Sequence, residues 1–256
     1  MAGVPRDWGR NRLRVLWHGL LVLALTALTQ LGGIAWLAAL RFRRRLLAFM
    51  VFYTLLGGLA VVVAPHWGRQ MIGCWPGSLI ETRATLCALN RSYGTPVLAS
   101  VLADLAQARA AEGDRIVLLD AGFPFLDGFP LLPHLSHDDG EKADLALAYA
   151  DRAGTALPGA TRAPLGYFAF EPGPSDCPPR QLTMRWDLDW LQPLWRDLVL
   201  DAPRSAAQVA WLLDDPRVGK VFLEPHLQER LGLADPKLRF QGCRAARHDD
   251  HIHFQL

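Results

Sequence analysis

The order of apolar and charged positions divides the chain near Trp67. From Val15 to Leu40 there is no Asp, Glu, Lys or Arg, and a second uncharged, strongly apolar run extends from Leu46 to Pro65. A soluble helix buries one stripe and shows polar residues every third or fourth position. These runs do not: their few polar members include His18, Thr26, Thr29, Gln30 and Thr54. A helix of about 20 apolar residues crosses the hydrocarbon core. The pattern predicts a membrane anchor over residues 1–66, with two transmembrane helices at about 15–40 and 46–65. A cleaved signal peptide has a shorter apolar core and no second run behind it.

Beyond Pro65 the pattern becomes mixed, and residues 67–256 read as one α+β domain. Thr95 to Ala111 is an amphipathic helix with Thr95 as cap and Pro96 in the first turn. Arg115–Asp120 reads as a buried strand and Ala143–Ala150 as an alternating one. A long Pro- and Gly-rich connection from Asp151 to Gln181, carrying Tyr167, Phe168 and Phe170, has the character of a functional loop that can shape a groove. Helices are expected at Trp186–Leu200, at Ser205–Leu213 with Ser205 as cap, and at Pro225–Leu231 before Gly232. Strands are expected at Val218–Leu223 and Asp249–Leu256, in a small, mainly antiparallel sheet with flanking helices. Trp186, Trp190, Trp195 and Trp211 fall at spacings that suit core packing, with a sugar-stacking platform as the other use.

Composition sharpens this picture in two places. A net charge of +2 with 20% charged residues argues against a nucleic-acid partner and against disorder. The four cysteines, Cys74, Cys87, Cys177 and Cys243, all follow the apolar third and show no CxxC pair. Two disulfides in an oxidising compartment and isolated buried thiols are both open on spacing. The basic turn Arg41–Arg45 favours the cytoplasmic side and would put both chain ends outside. Arg6, Arg10, Arg12 and Arg14 favour the same side and compete with that placement.

Two clusters carry the candidate chemistry. The first runs from Pro133 through His134, Ser136, His137, Asp138, Asp139 and Gly140 to Asp144, and the second is His248-Asp249-Asp250-His251-Ile252-His253. Catalytic zinc takes three imidazole or carboxylate ligands and keeps a position open. Side chains two apart on a strand share a face, so His251 and His253 project together. A turn at Gly140 can bring His137 to Asp144. Asp138-Asp139 suits a solvated turn, and Asp120 a strand end.

The spacing His137-x(6)-Asp144 with Gly140 between, followed by His251-x-His253, resembles the lysostaphin and D-Ala-D-Ala metallopeptidase group. Within it, the Pro133-His134-x-Ser136-His137 lead-in and the His248-x-x-His251-x-His253 ending resemble the penicillin-insensitive murein endopeptidases. The resemblance implies a single zinc ion held by His137, Asp144 and His253. His251 would then act on the activated water, and His248 as a further catalytic histidine. It implies hydrolysis of peptide cross-links involving D-amino acids in peptidoglycan stems, at the bacterial inner membrane, with the domain in the periplasm or cell exterior. A D,D-carboxypeptidase using the same site, or a non-catalytic wall-binding module, are the rival expectations. The family is soluble, so the membrane spans are foreign to it. A carboxylate three residues before the last ligand serves another branch of the group, and Asp250 occupies that position.

Overall fold

The computed structural model describes residues 6–178 and 182–256, with the backbone alone for residues 6–10. Its first third is helical: α1 (Arg6–Thr29), α2 (Gly32–Ala39), α3 (Arg45–Val63) and a 3-10 turn over Ala64–Trp67. Two segments, Asn11–Thr29 and Arg45–Trp67, are long and apolar enough to cross a membrane. The first apolar run is not the single helix expected over 15–40. It breaks at Gln30, whose φ is +62°. The Thr29 hydroxyl caps the break, donating to Leu25 O and accepting from Gly32 N. Glycine is required just beyond, because a Cβ at Gly33 would sit 1.9 Å from Thr26 Oγ1.

That break changes the arrangement from a hairpin to three antiparallel-packed segments. Past the break α2 doubles back, so that the Trp36 ring lies 5.9 Å from His18. The start of α3 is there too, with Arg45 Nη1 3.4 Å from His18 Nε2. At the opposite end Asn90 Nδ2 donates to both Thr29 O (3.2 Å) and the Tyr53 hydroxyl (3.1 Å). The long helices α1 and α3 therefore run in the same direction and both approach the domain. The basic turn 41–45 lies beside His18, midway along α1 and away from the domain.

The domain begins with β1 (Gln70–Met71), β2 (Ile80–Thr82), α4 (Ala84–Ala88), β3 (Tyr93–Gly94) and α5 (Pro96–Ala111). It continues through β4 (Ile116–Asp120), β5 (Lys142–Ala146), β6 (Tyr149–Ala150), β7 (Val199–Leu200) and α6 (Ala202–Asp214). It closes with β8 (Lys220–Phe222), α7 (Pro225–Arg230), β9 (Leu238–Arg239) and β10 (His251–Gln255). The main sheet has the order β2-β4-β5-β10-β8-β9. Its centre is antiparallel as expected, but both edge pairs, β2-β4 and β8-β9, are parallel. The reason is that helices intervene between the partners of each edge pair, and a crossover returns the chain in the same direction.

Thr95 caps α5 by accepting from Leu98 N (3.2 Å), worth about 1 kcal/mol. Helices α5 and α6 pack on one face of the sheet through Leu98, Leu102, Leu105, Val209 and Leu212. Against them lie Ile116 and Leu118 of β4, Leu145 of β5, and Ile252 and Phe254 of β10. The other face is left to Asp144, His251 and His253 by strand alternation.

Three local expectations fail for identifiable reasons. The strand over 143–150 is interrupted, and its end pairs with β7 instead. The helix over 186–200 is absent: Leu188 has φ +46° and Pro193 interrupts, leaving one 3-10 turn, Asp189–Leu194. Trp186 and Trp190 are consequently exposed rather than in the core. Asp201, not Ser205, caps α6 by accepting from Arg204 N, because Pro203 fits the first turn. The long loop from Asp151 ends in residues 179–181, which lie outside the described residues.

All four cysteines are paired, Cys74–Cys87 and Cys177–Cys243, closing 13- and 66-residue separations. Chain entropy gives about 3 and about 4 kcal/mol respectively. Replacing Cys177 and Cys243 by serine should lower the denaturation midpoint more than replacing Cys74 and Cys87, as read by circular dichroism in detergent.

Candidate metal centre

Register places the site. His253 of β10 lies directly opposite Asp144 of β5, and His251 opposite Ala146. A bulge between Leu118 and Asp120 sets Asp120 opposite Asp144 on the other side. The extra residue turns Asp120 away from the face that carries Leu118, beside the histidines. One row across the sheet therefore reads Asp120, Asp144, His253, Phe222.

His137 reaches this row from the loop between β4 and β5. Its Nδ1 donates to Ala121 O (2.8 Å), which leaves the Nε2 lone pair aimed inward. Gly140 closes the loop at φ +71°, and a Cβ there would meet the Arg69 guanidinium at 2.5 Å. His137 Nε2 is 3.1 Å from Asp144 Oδ1 and 3.1 Å from His253 Nδ1, and His253 Nδ1 is 2.7 Å from Asp144 Oδ1. The three predicted ligand residues are thus brought together, each 3% exposed or less.

The donor set fits a divalent cation. Tetrahedral ligands at about 2.0–2.2 Å from a metal stand about 3.4 Å apart. Two imidazole nitrogens and a carboxylate oxygen converge here at nearly that separation. The Ala121 carbonyl supplies the outer contact that fixes a ligating imidazole. A second trio, His134, Asp144 and His251, also could hold a metal and shares Asp144. Only one of its contacts is longer than those of the first trio: His134 Nδ1 is 3.0 Å and His251 Nε2 3.7 Å from Asp144 oxygens.

Around these ligands the electrostatics are divided. Burial alone would raise the Asp144 carboxyl, but His137, His251 and His134 hold it well below the usual range. Burial pushes the His253 imidazole down to about 4, and pushes His248 well below its ordinary value with help from His251 and His253. For His134 and His251 burial is outweighed. Asp144 and Asp120 push His134 up to about 10, and Asp144 with Asp250 raise His251. The lowering at His253 favours the neutral imidazole, the form that ligation requires.

His251 and His248 stand beside the trio rather than in it. His251 Nδ1 donates to Asp250 Oδ1 (2.5 Å), which turns Nε2 toward Asp144. Asp250 itself precedes β10 and also accepts from Phe168 N (2.5 Å), so it orients His251 and does not face the metal position. The His248 ring lies 5.0 Å from His251 and 5.5 Å from His253, with Nδ1 buried and without a protein partner. Over them opens a cavity of about 260 Å³, walled by His134, Leu135, Ser136, Met184, Gln241 and Ala246 among others.

Sequence reasoning missed three supporting groups. The Tyr167 hydroxyl donates to Asp144 Oδ2 (2.8 Å), fixing the carboxylate from the side opposite His137. Arg91 forms a two-pronged ion pair with Asp120 and donates to Leu132 O (2.6 Å). Arg185 and Glu224 make a buried pair at 2.8 Å, with Glu224 N donating to His248 O. Tyr167 had a signal, as an aromatic in the long loop; a lone Arg91 had none. Asp120 ends β4 as expected but is buried and ion-paired, while Asp138 and Asp139 are half-exposed and pair with Lys142.

No protein-family model matches this chain, and no curated protein matches its sequence.

The geometry predicts one divalent ion per chain. His137→Ala and His253→Ala should abolish stoichiometric binding, and Tyr167→Phe should weaken it about tenfold. Competition against a coloured chelator reads both effects, and unchanged affinity in His137→Ala would reassign the ligands.

Proposed function

We propose that the protein is a zinc-dependent peptidoglycan hydrolase that cleaves peptide cross-links involving D-amino acids. The observation that carries this reading is the convergence of His137, Asp144 and His253 beside a histidine oriented by a carboxylate, beneath an open cavity. The motif spacing supplies the substrate class: His137-x(6)-Asp144 and His251-x-His253 resemble the murein endopeptidases.

The chain's own groups have assignable tasks. Zinc bound to His137, Asp144 and His253 would polarise the scissile carbonyl and lower the pKa of its water to about 7. His251 presents Nε2 to that position and takes up the water proton, and the Asp250 carboxylate stabilises the imidazolium that results. His248, kept neutral by burial, is placed to donate to the carbonyl oxygen as charge develops or to pass a proton to the leaving amine. Tyr167 and Ala121 hold the ligands in place throughout.

Cavity composition supports the endopeptidase over the carboxypeptidase. Recognition of a free terminal carboxylate calls for an available cation; among the described residues lining the cavity there is no Lys or Arg, and the raised His134 is already paired with Asp120 and Asp144. Nearby Arg247 is committed to Asp249, Asp187 and the Phe170 ring.

The location follows from the same reasoning. Both basic groups, around Arg12–Arg14 and at Arg41–Arg45, lie at the helix ends away from the domain, so they no longer compete. The positive-inside tendency then places them in the cytoplasm and the domain outside the bacterial inner membrane. Two disulfides accord with that compartment. The N-terminus falls on the cytoplasmic side, opposite the domain.

In an activity assay on purified cross-linked muropeptides, the oxidised full-length protein with zinc should convert dimers to monomers. His251→Ala should lose about 10²–10⁴ in rate while keeping its zinc. Release of terminal residues alone would move the assignment to a carboxypeptidase. Absence of both metal and cleavage in folded protein would sink the hydrolase reading. Orientation has its own check: a cysteine at Arg43 should react with impermeant maleimide only from the cytoplasmic face, and one at Glu229 only from outside.

A further inference from the structure

Between the helical anchor and the metal centre runs the loop from Phe123 to Leu135, and its exposed side chains have no evident task in a water-facing enzyme. Leu126 and Leu132 are 60% and 45% exposed, and Trp67 beside them 61%, whereas Leu135 belongs to the cavity wall. In this stretch the charged groups are Asp127, paired with Arg69, and His134, which turns inward to Asp120 and Asp144. A loop so apolar is costly in water but suits the boundary between headgroups and acyl chains.

The loop is also fastened to the membrane-length helices at several points. Phe125 N donates to Gln30 Oε1 (3.0 Å) at the α1–α2 break. The Phe125 ring meets Trp67 edge-on at 5.9 Å and packs with Leu31, Ala60 and Ala64. Asn90, bonded to Thr29 and Tyr53, is followed by Arg91, which holds both Leu132 O and Asp120. Two residues past Leu132, His134 lies 3.0 Å from Asp144. The exposed leucines thus continue directly from the helix ends, and the same loop delivers His134 and His137 to the metal position.

We propose that loop 123–135 is seated on the bilayer surface, and that the cleft consequently takes peptide substrates whose far end is held in the same leaflet by a lipid. The seating requires only that α1 and α3 cross the membrane; the substrate class rests on the hydrolase reading. A bilayer is favoured over a protein partner because the patch is continuous with lipid-length helices and carries no unpaired charge.

Because every native cysteine is disulfide-bonded, single introduced thiols report position. Full-length Leu126→Cys, Leu132→Cys, Leu55→Cys (mid-α3) and Arg239→Cys (distal strand β9) would carry bimane in vesicles of phosphatidylcholine and phosphatidylglycerol. Lipids brominated near the headgroup should quench positions 126 and 132 and leave 239 unchanged, with deep-brominated lipids quenching 55. Signals at 126 and 132 matching that at 239 would overturn the seating. So would protection from iodide without lipid quenching, which would mean a protein cover, and so would an unquenched position 55.

The substrate arm compares one peptide free in solution and coupled to a lipid in the same vesicles. The lipid-held form should be cleaved at least about tenfold faster, through its higher local concentration. Leu126→Glu should erase that advantage while leaving the rate on free peptide unchanged. Equal rates on both forms would overturn the substrate class. Quenching at 126 and 132 in a protein that cleaves nothing would support the seating and overturn the hydrolase reading alone.

Discussion

A carboxylate with no access to water stands at the middle of this domain. Asp144 is fully buried, on the second of three adjacent strands, and across the sheet it faces another buried carboxylate, Asp120. Unpaired charges in such surroundings cost several kcal/mol each. The fold answers on every side: Tyr167 donates to one oxygen, His137 and His253 press on the other, and Arg91 neutralises Asp120. Each of these partners comes from a different stretch of chain, so the long loops exist in their present course because Asp144 needs them. A divalent cation would answer the same requirement, being the most direct complement to that set of donors.

The anchor is coupled to this centre through few residues. Asn90 touches the helices, Arg91 touches the second carboxylate, and they are consecutive. A domain on a flexible tether would have its first contacts far from the chemistry. Here the helices pack against the domain through Tyr53, Ala60 and Ala64, and their ends meet the loop that carries His134 and His137. The apolar helices are accordingly part of the domain's structure.

The convergence of His137, Asp144 and His253 was legible because strand alternation and a turn glycine are local properties. His251 and His253 share a face by parity, and Gly140 is where the chain must turn. Helix α5 was readable for the same reason, with Thr95 and Pro96 marking its start. What escaped was set by long-range geometry. The bulge that turns Asp120 inward depends on pairing with β5, and the parallel edges depend on where α5 and α7 return the chain. The break at Gln30 is invisible to hydropathy, since apolar residues continue on both sides of it. The absent helix at 186–200 had its warning in Pro193, outweighed in the reading by regularly spaced tryptophans. Arg91 carries no signal of its own, and its importance follows entirely from the anion it meets.

The Cys177–Cys243 bond joins the end of the aromatic loop to the turn that precedes the second histidine cluster. Gln241, Ala245 and Ala246, beside Cys243, form one wall of the cavity, and Phe168 and Phe170 of the loop flank it. Without that crosslink the wall is held to the loop by noncovalent contacts alone. A reduced chain therefore keeps the His137, Asp144 and His253 cluster but not the fixed cleft above it. The finished cleft is therefore a property of the oxidised chain, set by a bond between two segments 66 residues apart.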